Sequence, residues 1–163
     1  MKKLKQSIIF FIFSIMFSAV SASDITKNEV MELISIIDEA IVDKNAEKLS
    51  SVFSNNVSLT LKVNMAGTSE TFSMTKDEYI SMVKEGWATS SNYKYLRTNI
   101  KVSVSGNSAT VDANIVESMT MNIQGMDISM RGETKEHVTI KLINNTPLIT
   151  NLDADSNMNI SPL

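Results

Sequence analysis

The chain has 163 residues, with 18 acidic side chains, 15 basic ones and no cysteine. An acidic balance without a basic cluster argues against nucleic acid or an anionic membrane surface as a partner. The missing cysteines exclude a disulfide framework and a lipid-attachment cysteine, and the length is that of one domain with a core needing no staple.

Lys2, Lys3 and Lys5 precede an apolar run from Ile8 to Val20, and Val20-Ser21-Ala22 supplies small residues at a cleavage site. The pattern predicts a secretory signal peptide over 1–22, and so an exported protein, periplasmic or secreted, without stable membrane anchoring after cleavage. The apolar run is shorter than the roughly 20 residues that span a bilayer. Setting the three lysines aside (15 less 3) leaves 12 basic residues against 18 acidic. The domain is expected over 23–156, with 157–163 a frayed tail.

Thr26 and Glu29 form a capping box, and Val30, Leu33, Ile34, Ile37, Ala40 and Ile41 recur at helical spacing behind it. Asp43-Lys44-Asn45 ends this helix, and a second, short one is expected over Ala46 to Ser54. Val57 to Met65 alternates apolar with polar, as a half-buried strand does. Ala66-Gly67-Thr68 turns it into a short return strand over Glu70 to Met74. Thr75 and Glu78 cap a third helix that runs to about Thr89, with Tyr79, Ile80, Val83 and Trp87 on its apolar side.

Four strands follow. In the first, Leu96, Ile100, Val102 and Val104 are expected inward and Arg97, Asn99, Lys101 and Ser103 outward. Ser105 to Ser108 turns the chain into a strand whose apolar face is Val111, Ala113, Ile115, Glu117, Met119, Met121 and Ile123. After Gln124-Gly125 comes the longest alternating stretch, Met126 to Leu142, with one charge, Glu136, on its apolar face. A two-residue loop at Gln124-Gly125 pairs Met119 with Met130, Glu117 with Gly132, Ala113 with Glu136 and Val111 with Val138. Each inner residue then meets another of its own face, as a correct register requires. The last strand, Leu148 to Asp155, has two registers. A two-residue Asn144-Asn145 loop turns Ile149, Asn151 and Asp153 inward, whereas a longer loop turns in Leu148, Leu152 and Ala154, which buries more apolar surface. A long antiparallel sheet covered on one face by three helices makes the class α+β.

This order resembles the NTF2-like superfamily, which includes ketosteroid isomerases and SnoaL-like cyclases. Residues Ile37 to Val57, IDEAIVDKNAEKLSSVFSNNV, carry the likeness: an apolar helix, a break, a short helix ending in Phe53, then a polar pair. The resemblance implies a cone whose curved antiparallel sheet and helices enclose a pocket, and a homodimer formed through the sheet. The isomerase catalytic set does not carry over. Ile37 stands where a tyrosine is expected, residues around Thr60 and Leu61 replace the general base, and only Glu136-His137 matches in type.

A carboxylate within an apolar face has a raised pKa and can act as an acid or base, which makes Glu136 the candidate for any isomerase or lyase chemistry. Glu117 breaks its own strand in the same way, opposite Gly132, which leaves space above it. The two lie about 13 Å apart along the strands, too far to share a proton. His137, the only histidine, falls on the outer face, and with no cysteine it cannot build a usual zinc site. Thioethers bind Cu(I), but the methionine spacing is that of the apolar face, where methionine is an adaptable filler. The expectation is therefore a cone that binds a small, largely apolar ligand without chemistry, cofactor or metal. Its lining is expected from Ile37, Leu61, Trp87, Ile115 and Glu117, and from Met119, Met121, Met130 and Glu136. Tyr79, Tyr93 and Tyr95 either ring that pocket or pack. The alternative is a homodimeric interaction module using the outer sheet face.

Overall fold

The computed structural model describes residues 24–123 and 125–162. The signal peptide expected over 1–22 lies outside the described residues, as does Gln124 of the expected turn. Three helices, α1 (Lys27–Val42), α2 (Ala46–Ser51) and α3 (Lys76–Thr89), interleave with six strands. These are β1 (Phe53–Met65), β2 (Thr68–Met74), β3 (Ser90–Ser105), β4 (Ser108–Ile123), β5 (Met126–Ile143) and β6 (Thr146–Pro162). Among the described residues no helix is long and apolar enough to cross a membrane.

Local chemistry sets the helix ends. Thr26 and Thr75 each accept from the backbone N–H three residues on, while Glu29 and Glu78 reach back to the cap, so both capping boxes form. Asn45 caps α2 by accepting from the Lys48 N–H at 2.9 Å. That helix stops at Ser51, three residues earlier than expected, because Phe53 and Ser54 already belong to β1.

The strands form one curved, mixed sheet in the order β2-β1-β6-β5-β4-β3. Four of its pairings are antiparallel, and β1 runs parallel to β6, which corrects the all-antiparallel expectation. The parallel pair arises because the chain crosses the sheet through α3 and three further strands before β6 returns beside β1. The expected frayed tail is strand: β6 continues to Pro162, pairing Met158 with Gly132 and Ile160 with Met130.

The β4–β5 register is the expected one from Val111 opposite Val138 to Ile123 opposite Met126. Both registers offered for β6 are partly realised. The turn is the two-residue one, with Asn144 and Asn145 at φ 52° and 61°, so Ile149 points inward. A bulge at Thr150 then shifts the pairing and turns Leu152 inward as well, so both apolar residues are buried. The core joins Val30, Ile34, Ile37, Leu49 and Trp87 of the helices to Val111, Val138, Ile140, Ile149 and Leu152 of the sheet. Burying each such side chain stabilises the fold by roughly 1.5–3 kcal/mol.

Candidate functional site

Two bulges in β3 build the site. Pairing with β4 slips between Ser91 and Lys94 and again between Thr98 and Lys101, and Asn92 and Asn99 sit inside those slips at φ 52° and 55°. Asparagine tolerates the left-handed region better than most side chains. Between the bulges the strand's faces are reversed relative to expectation. Leu96 is 59% exposed, and Arg97, expected in solvent, is buried with Tyr93 and Tyr95 on the same side of the strand. Asp38 of α1, on the helix-covered side of the sheet, faces Arg97.

These groups form a network. Arg97 donates through Nε to Asp38 Oδ1 at 2.8 Å and through Nη1 to Glu136 Oε2. Tyr95 donates to the same Asp38 oxygen at 3.0 Å, and Tyr93 donates to Glu117 Oε1 at 2.8 Å. Burial disfavours the Arg97 charge, but the Glu136 and Asp38 carboxylates outweigh that, so its pKa rises. Burial pushes the Glu117 carboxyl above its ordinary value, opposed by the Tyr93 hydrogen bond and aided by the Glu136 charge. The Tyr79 phenol is raised too, by burial and then by the charges of Glu136 and Glu117.

In front of this network lies a cavity of about 220 Å³. Its apolar wall comes from Leu59, Leu61 and Val63 of β1, Met74 of β2, Met82 and Val83 of α3, and Ile115, Leu152 and Met158 of the later strands. Tyr79, Tyr95, Thr134, Ser156, Glu117 and Glu136 supply polar atoms. Thr134 and Ser156 satisfy each other at 2.9 Å across β5 and β6.

Of the residues expected to line a pocket, Leu61, Ile115, Glu117 and Glu136 do so. Ile37 and Trp87 are buried in the core instead, because helical packing against β3 and β6 closes over them. Met119, Met121 and Met130 lie farther along the sheet, half-exposed and outside the cavity wall. The space expected above Gly132 is filled: a Cβ there would come within 2.8 Å of the Met158 sulfur. Asp153 does not face Glu136; it is exposed on the outer side, where it accepts from Asn151. Glu136, expected as a lone acid, is instead partnered by Arg97. His137 is exposed, as expected, with Nδ1 2.7 Å from Asp112 Oδ1.

Arg97, Asp38, Met74, Met82 and Met158 were not anticipated as parts of the site. The signal for Arg97 was present in Asn92 and Asn99, two residues suited to positive φ inside a strand.

No protein-family model and no curated protein matches the sequence. Solved structures do match in shape. A scytalone dehydratase, so named provisionally, from Novosphingobium aromaticivorans superposes with a TM-score of 0.64 at 12% identity, covering 81% of this chain and 85% of its own. A protein from Streptomyces avermitilis described as a dehydratase of the NTF2-like family gives 0.58 at 14% identity, over 78% and 94%. An NTF2-like protein from Cytophaga hutchinsonii gives 0.57 at 13%, over 81% and 99%. Together with the mixed sheet and its three covering helices, these likenesses show that the chain has the NTF2-like fold.

Proposed function

We propose that the protein binds a small, largely apolar molecule in the cavity, held at one point by Glu117. The observation that carries this reading is an apolar-walled cavity interrupted by a carboxyl group whose second oxygen has no hydrogen-bond partner among the described residues. An apolar cavity of about 150 Å³ accommodates benzene, so 220 Å³ has room for a substituted single ring but not for a four-ring skeleton. Export is part of the reading and is supported by the lysines, apolar run and small residues of the first 22 positions. Binding without chemistry is favoured over catalysis by Glu136, because the acid expected to serve as base is held in an ion pair with Arg97.

The test is a thermal melt with millimolar single-ring compounds such as benzyl alcohol. A rise in Tm for the protein, and none for an Ala154→Phe variant that fills the cavity, supports the reading. No rise with any such compound overturns it.

A second reading is proton transfer on the bound molecule, and the raised Glu117 carboxyl favours it. It predicts that the protein speeds solvent deuterium exchange alpha to the carbonyl of cyclohexanone. Glu117→Gln should abolish that exchange, and a rate equal to buffer alone rejects the reading.

A further inference from the structure

We propose that the cavity selects a cation: a small, largely apolar amine whose ammonium group meets Glu117. The inference deepens the binding reading above and rests on it. Its ground is the charge inventory of the wall. Among the described residues, Glu117 and Glu136 are the only charged side chains lining the cavity, and no lysine or arginine lines it. Arg97, the cation paired with Glu136, has a side chain only 2% exposed, does not line the cavity and is committed to Asp38 and Glu136. One guanidinium thus stands against three carboxyl groups, and the cluster stays net negative even when Glu117 carries its proton.

The hydrogen-bond inventory points the same way. Glu117 uses Oε1 to accept from Tyr93, and among the described residues Oε2 has no hydrogen-bond partner. An ionised carboxyl only accepts, so the group it lacks is a donor, and a charged donor makes the stronger bond. Tyr79 and Tyr95 place two aromatic rings in the wall, and aromatic rings attract cations. An anion of the same size meets two carboxylates and no free cation. An ammonium group a few ångströms from Glu117 favours its ionised form. Burial is the first cause of the raised Glu117 carboxyl and Tyr79 phenol, and the Glu136 charge adds to both.

Isothermal titration of the protein with benzylamine, benzyl alcohol and benzoate separates the possibilities, since the three share a ring and differ in charge. Benzylamine should bind roughly ten- to a hundredfold more tightly than benzyl alcohol, the span of a charge-assisted hydrogen bond, and benzoate should bind weakest. Benzylamine affinity should also rise with pH as Glu117 gives up its proton, while that of benzyl alcohol stays level. In Glu117→Gln the ratio of benzylamine to benzyl alcohol affinity should fall to about one. Benzyl alcohol binding as tightly as benzylamine overturns the cation inference and leaves the binding reading standing. Binding of none of the three overturns both. The ranking in the unaltered protein decides the matter even if the variant does not fold.

Discussion

Toward the β3–β4 turn, the sheet's inner face presents Val111, Val138, Ile140 and Ile149 to the helices, each at most 1% exposed. Toward the β4–β5 turn, the same face of the same strands presents Met119, Met121 and Met130, half-exposed, and Ile160, 48% exposed. The cavity lies where the first region gives way to the second, with Ile115 and Leu152 on the closed side and Met158 on the open one. β-Branched side chains have few rotamers and pack into a fixed solid, whereas methionine is unbranched and adapts to what it touches. The contrast teaches that one continuous alternating pattern can encode a core at one end and an adaptable site at the other. The change of residue type, and not of period, marks the boundary.

Removing the Arg97 cation should do the most damage. Arg97→Leu leaves Glu136 buried without compensation, at a cost of about 4 kcal/mol in urea unfolding. Adding Glu136→Leu should recover most of that loss, and failure to recover would mean that Arg97 acts through something other than this pair. Next, Ile140→Ala in the closed region should cost about 3 kcal/mol through the cavity it leaves, whereas Met130→Ala in the open region should cost about 0.5 kcal/mol because its surroundings are already partly solvent. Equal costs would erase the distinction between the two ends.

The pH dependence sharpens the boundary further. Glu117 binds its proton more tightly folded than unfolded, so the folded state holds more protons through that window. By linkage, its contribution to stability falls as pH rises from the unfolded carboxyl value, about 4.3, through the raised folded one, and is level above it. Glu117→Gln should therefore gain on the unaltered protein as pH rises through that interval, read as the difference of two Tm curves. A difference that does not change with pH would place Glu117 in solvent. Another small effect belongs to Gly132→Ala, where the new methyl displaces the flexible Met158 thioether, at a cost of about 1 kcal/mol or less. Met158→Ala in the same chain should remove that cost.

Much of this was legible in the sequence, and the part that was not has a common cause. The β4–β5 register follows from alternation alone, because a slip of one residue would expose Val111, Val138 and Ile140 together. Capping boxes gave the starts of α1 and α3. Alternation carries no warning of a bulge, however, and each bulge inverts every side chain beyond it. The slip around Asn99 reversed Arg97 with Leu96, and the bulge at Thr150 reconciled two registers of β6 that seemed exclusive. The partners of Glu136 and Glu117, Arg97 and Tyr93, both come from β3, so they became visible only once the faces of that strand were known.

The most direct test of the central claim is a methyl spectrum of the protein labelled at its methionines, titrated with benzyl alcohol. The account predicts shifts at Met74, Met82 and Met158, which line the cavity, with Met119, Met121 and Met126 unmoved. Shifts confined to Met119, Met121 and Met126, or none at all, would contradict it.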